Sequence, residues 1–331
     1  MPAPNQVMTG YRPDIGTMFQ FDKEMNRLGF IANQVAPVFE SGVQAGTLGI
    51  VPLKQLLQNP EVGRDSRGNY NRTSFTFQDE SFATKEYGLE MPVDERRAAI
   101  YRDYFDFEVE CASMTLDIVL RAYEMRVAAL LYNATTFSSY TTAITHEWND
   151  WTNAVPITDV AIASLSMWLA CGRYPNALIC NRRQRDNLAM NAQIIAKIAS
   201  TGAGKSIVPA DITNGQLAAC LKLDRLIVAD SAKDTADEGQ AVSIAQIWSD
   251  EYAMLARVAT TPRIMEPALA RTIHWGADGS TIGGTIERYD EQSSRGNVVR
   301  VRHETQERIM YTPMGHLFSN VIDPTGGDDV A

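Results

Sequence analysis

The feature that most constrains the fold is an uninterrupted helical pattern over residues 107–133, which contain neither glycine nor proline. Asp103 and Asp106 precede it as candidate N-caps, because their short side chains can accept hydrogen bonds from the first free backbone amides. At ~1.5 Å per residue such a helix is about 40 Å long, more than twice the length of a usual helix of ~11 residues. Its apolar side chains form a broad stripe: Val109, Met114, Leu116, Val119, Leu120, Val127, Leu130 and Leu131. We therefore predict a rod that spans a whole flattened subunit.

The segments before this helix have little to bury locally. Residues 1–40 place Phe19 and Phe21 in a weak helical spacing among polar residues, which predicts an arm that packs elsewhere. Strands are predicted over 47–55 and 73–84. The segment between them is rich in turn-forming residues and carries Arg64, Arg67 and Arg72. The sequence therefore predicts a long hairpin with a polar, basic tip.

After the long helix the pattern changes to alternating helices and strands, which is typical of an α/β layer. Helices are predicted over 158–170, 183–198 and 216–221, and strands over 177–180, 225–229, 244–248 and 252–257. The C-terminal part adds three strand candidates, 298–302, 308–312 and 316–322. The predicted fold class is α+β, with the long helix in one part and the α/β layer in another.

Composition excludes several classes of protein. With 331 residues, of which 45% are hydrophobic and 21% charged, the chain is too apolar to be disordered and long enough for a sizeable core. The 30 Lys and Arg against 40 Asp and Glu give a net charge of −10, which disfavours binding to nucleic acid through a positive surface. The 4 cysteines form no CxxC pair, so we expect reduced thiols rather than a disulfide scaffold or a zinc finger. The longest uncharged apolar run, 160–172, is shorter than the ~20 residues that span a bilayer, and the N-terminus carries no secretion signal.

One segment resembles a phosphate-binding loop, namely residues 199–206, which end in Gly204, Lys205 and Ser206. In that motif backbone amides cradle phosphates, the lysine reaches them and the hydroxyl holds magnesium. The context opposes this interpretation, because a predicted helix rather than a strand precedes the segment and Pro209 follows it. We therefore predict a glycine loop after a helix and keep a P-loop nucleotide hydrolase as the weakest alternative.

No catalytic, cofactor-binding or metal-binding residues are predicted elsewhere. The dinucleotide and GxSxG motifs are absent, and the 4 histidines are scattered without metal-ligand spacing. Acidic pairs such as Asp94 with Glu95 fall in predicted turns or on solvated faces, where no shifted pKa is expected.

The arm, the hairpin and the rod share one property, which is that each leaves surface that another chain must cover. This predicts an assembly subunit rather than an enzyme. The candidate contact residues are Phe19 and Phe21 on the arm and Arg64, Arg67 and Arg72 at the hairpin tip.

Seven short segments occur in a characteristic order along nearly the whole chain. They are Ile31 to Val38, the Arg67-Gly68 tip, Glu86 to Val93, Tyr123 to Leu131 at the end of the long helix, Trp148 to Asp150, Pro175 to Ile179, and Gly315 to Leu317. Their order and spacing resemble those of the major capsid proteins of tailed bacteriophages, which have the Hong Kong 97 type fold.

The resemblance implies a division of the chain into five parts. Residues 1–40 would form an N-terminal arm and 41–92 an extended β-hairpin loop. Residues 93–155 would form a peripheral domain with the spine helix 107–133, joined by a return strand within 298–314. Residues 156–297 would form an α/β axial domain, which a final strand within 315–322 completes, and 323–331 would be a flexible tail.

The resemblance also implies a function. Copies of the chain would form the hexamers and pentamers of an icosahedral shell around packaged double-stranded DNA, located in the virion after assembly in the cytoplasm of the bacterial host. The implied partners are a scaffolding protein, a portal protein and a decoration protein, with no membrane contact. Because the chain reaches its arm directly after Met1, we expect the scaffolding protein to be a separate chain.

The net charge of −10 fits a wall that encloses DNA without binding it specifically. Besides the P-loop hydrolase, a second alternative stays open, which is an encapsulin-like nanocompartment with the same fold and an enzyme cargo.

Overall fold

The structure is a computed structural model, and it describes residues 10–11, 19–64, 66, 68–74, 76–200, 211–291 and 296–322. Within these ranges the chain forms nine α-helices: α1 Phe21–Arg27, α2 Ala32–Val35, α3 Leu53–Leu56, α4 Glu95–Tyr101, α5 Phe107–Leu131, α6 Pro156–Cys171, α7 Arg182–Met190, α8 Ala192–Ser200 and α9 Asn214–Cys220. The expected flexible tail, 323–331, lies outside the described residues.

The same described ranges also contain fifteen strands. They are β1 Gly10–Tyr11, β2 Val38–Ser41, β3 Ala45–Ile50, β4 Gln78–Ala83, β5 Lys85–Asp94, β6 Thr141–Ala143, β7 Ala177–Asn181, β8 Arg225–Ala229, β9 Ala232–Asp234, β10 Ile244–Gln246, β11 Ala253–Ala256, β12 Ala270–Trp275, β13 Thr285–Glu291, β14 Gly296–Ile309 and β15 Gly315–Ser319. The α+β class predicted from the sequence is confirmed.

The first sheet is built around β14, a strand of 14 residues. Its N-terminal half pairs with β13 and its C-terminal end with β12, both antiparallel, while β5 pairs along its other edge. The outer strands β1 and β2 pair with β13 and β12. Helix α5 packs across β14 and β5, and it buries Val299 and Val301 of β14, which point to the same face of the sheet.

The predicted long helix is confirmed as α5. The Asp106 carboxylate accepts hydrogen bonds from two backbone amides of the first turn, at 3.0 and 3.4 Å, so Asp106 rather than Asp103 is the N-cap. Most of the predicted stripe is buried against the first sheet, whereas Met114 is 52% exposed. The helix therefore keeps part of its apolar surface in solvent.

The second sheet has the strand order β6-β15-β11-β7-β8. Its β7 and β8 run parallel, and β7 is buried along its whole length, as expected for a strand that is covered on both faces. Helices α6 to α9 pack on this sheet or on one another. Helix α6 carries Pro156 in its first turn and ends at Gly172, whose φ of 67° places it in the left-handed region that favours glycine.

The predicted helix over 183–198 is wrong in one respect, because the segment forms two helices, α7 and α8, interrupted at Asn191. The backbone of Asn191 is extended, with ψ 132°. Its side chain accepts a hydrogen bond from Gln193 N at 3.0 Å and donates one to Ala154 O at 2.9 Å. Asparagine favours such capping positions over helix interiors, so the break follows from its side-chain chemistry.

Several strand predictions also need correction. The candidate 298–302 and the first two residues of the candidate 308–312 belong to one continuous strand, β14, which ends at Ile309, whereas a 3-10 turn begins at Thr312. The first strand of the hairpin, predicted over 47–55, ends at Ile50, because Pro52 stands at the start of helix α3. Strands β2, β5, β12 and β13 were not among the predicted elements.

Strand pairing divides the segment 156–297, which the family resemblance assigned to one domain. Strands β7, β8 and β11 lie in the second sheet, whereas β12 and β13 pair with β14 in the first. The expected final strand, β15, lies in the second sheet.

We predict that the Asp106→Ala variant lowers the free energy of unfolding of the subunit by about 1 kcal/mol, the usual effect of removing an N-cap. Asp103→Ala is the matched control, since Asp103 precedes the same helix without capping it. Urea denaturation of unassembled subunits measures both, and equal effects of the two variants would contradict the assignment of the cap.

Candidate functional site

Potential metal ligands are not clustered in the described part of the chain. Among its residues no group of three or more His, Cys, Asp or Glu could hold a metal ion. All four cysteines are buried, and burial raises the pKa of each thiol. Within the same ranges no helix has the length and apolar character needed to cross a membrane.

Gly204, Lys205 and Ser206 lie outside the described residues, and the helix α8 precedes them where a phosphate-binding loop requires a strand.

The predicted hairpin is formed by β3 and β4, and its base is bound to β14 by a polar network. Glu304 of β14 is 3% exposed, and its Oε1 accepts hydrogen bonds from Gln44 Nε2 at 2.8 Å and Thr84 Oγ1 at 2.7 Å. The guanidinium of Arg308 donates to the Glu80 carboxylate, and Tyr311 donates its hydroxyl proton to a carbonyl just beyond β3 at 2.9 Å. The base of the loop is therefore held by its own chain.

The far end of this loop, between α3 and β4, is largely exposed. Arg64 and Arg72 lie there as predicted, and Arg67 lies outside the described residues. Arg64 donates from Nε to Gly68 O at 2.7 Å, and its guanidinium stands 4.6 Å from the ring centroid of Tyr70. The predicted basic tip is present at Arg64 and Arg72, and exposed apolar side chains accompany it.

Phe19 and Phe21, the two arm residues predicted to make contacts, are half-buried against the core of their own chain. The ring centroid of Phe21 lies 6.4 Å from that of Tyr123 on α5. The structure thus gives both side chains partners within the subunit, and their contacts to another copy stay a prediction.

The arm is fixed to the rest of the subunit by a buried carboxylate on α5. Glu124 is 0% exposed, and its Oε1 accepts hydrogen bonds from Ile31 N at 2.9 Å and from Trp248 Nε1 at 2.6 Å. Its Oε2 accepts a hydrogen bond from Ala32 N at 2.8 Å. Burial raises the pKa of this carboxyl above its ordinary value, and the three hydrogen bonds oppose the rise. One side chain therefore joins the arm, the long helix and the segment that leads into β11.

A second polar cluster lies between α5 and the first sheet. Arg126 donates to both carboxylate oxygens of Glu307, at 3.0 and 3.2 Å, and covers the ring of Tyr87 at 3.7 Å. His303 is buried between Arg126 and Ile282 O, at 3.3 Å from each. Burial first, and the neighbouring positive charge second, lower the pKa of His303 to about 4, so the ring is neutral at pH 7.

Two helices expose apolar faces in the described subunit. On α5 the exposed side chains are Met114, Ile118 and Met125, spaced along one side. On α6 they are Ile162, Leu165, Trp168 and Leu169. The contact residues predicted from the sequence include none on these two faces. A signal for the second was present, since α6 coincides with the longest uncharged apolar run of the chain.

Comparisons with known proteins relate the chain to components of phages. No family profile matches it. It is similar to the major capsid protein of Pseudomonas phage JBD67, with 23% identity over 297 residues that cover 88% of this chain and 92% of that protein.

Solved structures share the whole fold. A phage-related protein from Bordetella bronchiseptica superposes with a TM-score of 0.67 at 15% identity, covering 95% of this chain and 99% of that one. The capsid structure of cyanophage P-SCSP1u gives a TM-score of 0.57 at 9% identity, covering 96% of this chain and 92% of that one. At these identities the likeness concerns the fold, which extends from the arm to β15.

We predict that Glu124→Ala lowers the free energy of unfolding by about 3 kcal/mol, because three buried N–H donors lose their acceptor. In Glu124→Gln one oxygen remains, so the loss is smaller. The buried carboxyl of the wild type holds its proton to a higher pH than the unfolded chain does. The stability of the wild type relative to Glu124→Gln therefore falls as the pH rises above ~4.3, the usual value for glutamate. Urea denaturation of both proteins between pH 4 and 8 measures this relative stability. A wild type that becomes more stable relative to Glu124→Gln as the pH rises would refute a buried carboxyl with a raised pKa.

The contribution of His303 to the pH dependence of the free energy of unfolding has the opposite sign to that of Glu124. The unfolded histidine takes up a proton near pH ~6.5, whereas the native ring resists protonation down to about pH 4. The unfolded state therefore binds more protons in this interval, and the free energy of unfolding falls as the pH falls, by up to about 3 kcal/mol. His303→Gln lacks this contribution. Comparing urea midpoints of the two proteins from pH 7 to 4 tests it, and parallel profiles would count against a buried neutral ring.

Proposed function

We infer that the chain is a tailed-phage major capsid protein with the Hong Kong 97 type fold, and that it acts as the structural subunit of an icosahedral shell. The observation that carries this inference is the similarity to a phage major capsid protein over 88% of the chain. The whole-chain superposition on capsid structures supports it. The role is therefore structural rather than enzymatic.

The division of the subunit follows the two sheets in this proposal. Residues 1–40 are the arm and 41–92 the extended loop, as the family resemblance implied. Strands β12 and β13 pair with β14, which supports assigning residues 268–291 to the peripheral domain together with 93–155. The axial domain then comprises residues 156–259 and the final strand β15.

The proposed partners are first of all other copies of the chain, arranged as hexamers and pentamers. An exposed basic loop and apolar helix faces support this, since soluble monomers rarely leave large apolar surface uncovered. A scaffolding protein, a portal protein and a decoration protein are further proposed partners, as the fold family implies. Assembly in the host cytoplasm and final location in the virion follow from the same proposal.

Packaged double-stranded DNA is enclosed without specific binding in this proposal. The net charge of −10 supports weak contact, because firm binding to DNA needs several cationic contacts to phosphates. Weak binding of the subunit to duplex DNA at physiological salt is the expected signature. An encapsulin-like compartment is the less supported alternative, since the related sequence is a phage capsid protein.

Electron microscopy of the purified chain tests the function directly. We expect capsomer rings or closed shells, alone or with a coexpressed scaffolding protein. The double variant Arg64→Ala/Arg72→Ala should fold normally and give about tenfold fewer particles, because arginine is enriched among the residues that dominate binding energy at protein interfaces.

The matched control is Arg96→Ala/Arg97→Ala, which removes two exposed arginines from α4 with the same change in charge. It should assemble like the wild type. Dispersed compact particles under all conditions for the wild type would contradict the proposed function.

A further inference from the structure

Helix α6 is apolar on its exposed side as well as on its buried side. Its single charged residue is Asp159, and its exposed side chains include Ile162, Leu165 and Leu169, which are 63%, 51% and 71% accessible. A helix that is apolar all round is stable in water only when it is covered. Within the described subunit this face stays open.

A groove lies beside this face of α6 and shares Leu165 with it. It has a volume of about 450 Å³, and Leu165, Tyr174 and Leu221 line its apolar part. The charged side chains that line it are Lys197 and Lys222. The groove therefore combines an apolar floor with a positive rim, which fits an apolar segment that carries acidic residues.

Such a segment exists in the same chain, in the hairpin formed by β9 and β10. These two strands pair with each other in a separate two-stranded sheet. The Asp234 carboxylate accepts hydrogen bonds from Ala236 N and Ser243 N, both at 2.9 Å, and Thr235 N donates to Ser243 O at 2.8 Å. These hydrogen bonds preorganise the hairpin. Because two-stranded hairpins are only marginally stable alone, this one gains stability when it packs against another surface.

The hairpin is acidic and carries apolar side chains at exposed positions. Asp237 and Glu238 lie at its tip, and Val242 and Ile244 are 70% and 78% exposed. Its charge and its apolar residues are thus complementary to the groove beside α6.

We propose that the β9–β10 hairpin of one copy of the chain docks on the α6 groove of the neighbouring copy. This proposal rests on the proposed function and names the contact that joins subunits within a capsomer. Val242 and Ile244 cover the apolar face of α6, and the acidic tip approaches Lys222.

The position of the two surfaces makes this contact head-to-tail. The hairpin follows β8, an edge strand of the second sheet, whereas α6 packs on β11 and β15. Each copy therefore offers one hairpin and one groove at different places. A contact between unlike surfaces of identical chains closes into a ring when the rotation permits, as hexamers and pentamers require.

A charge exchange tests the contact. Glu238→Lys and Lys222→Glu should each lower the yield of capsomers at least about tenfold, because like charges then meet at the interface. The variant that carries both changes should recover assembly. Val242→Asp should also lose assembly, whereas Val242→Leu, which keeps the apolar contact, should retain it. All of these positions are exposed, so the subunits are expected to fold, and circular dichroism checks this.

Cross-linking identifies the partner surface. The native cysteines are buried, so a short bismaleimide will react with cysteines introduced at the surface. A mixture of Val242→Cys and Leu165→Cys subunits should form covalent dimers during assembly, and Val242→Cys alone should not. Wild-type shells together with assembly of all single variants would overturn the docking and leave the proposed function intact. A Val242→Cys homodimer would overturn it as well. Failure of the wild type to assemble at all would instead refute the proposed function.

Discussion

A buried carboxylate is the interaction on which the arrangement of the subunit depends. Removing an ionised glutamate from water costs several kcal/mol, and only well-placed hydrogen bonds offset that cost. Glu124 obtains them from Ile31, Ala32 and Trp248, which belong to the arm and to the segment before β11. Displacement of any one of these groups removes one of the three donors of the buried carboxylate, so the arm, α5 and the segment before β11 keep one mutual arrangement.

Because the arm and α5 keep one arrangement, the surfaces that the subunit presents to other copies are also fixed in position. The buried core therefore influences assembly. The loop base is bound to β14 through Glu304, so its basic end starts from a defined position. The exposed faces of α5 and α6 are carried on helices whose other sides are buried. A subunit of this kind brings preformed surfaces to its neighbours and therefore loses little conformational entropy on binding.

Sequence reasoning succeeded where several local signals agree. The long helix was predictable because periodicity, a cap and the absence of glycine and proline agree. Strand β12 was not predictable, because the charged or polar residues Arg271 and His274 interrupt its apolar pattern. Both side chains are buried in the folded subunit, where hydrogen bonds to distant segments satisfy them. Glu124 was missed because α5 carries four acidic residues, and nothing in the local sequence distinguishes the buried one from the others. The basic loop tip was predicted from composition, whereas the groove beside α6 arises from distant segments that only the fold brings together.

The central claim is that surfaces left open in the subunit are covered by other copies in the shell. Hydrogen–deuterium exchange on free subunits and on assembled particles tests it most directly. The account predicts that α6, the β9–β10 hairpin and the far end of the extended loop gain protection on assembly, while β7 and β14 change little. Equal exchange of these surfaces in both states, in particles that electron microscopy shows to be closed, would contradict it.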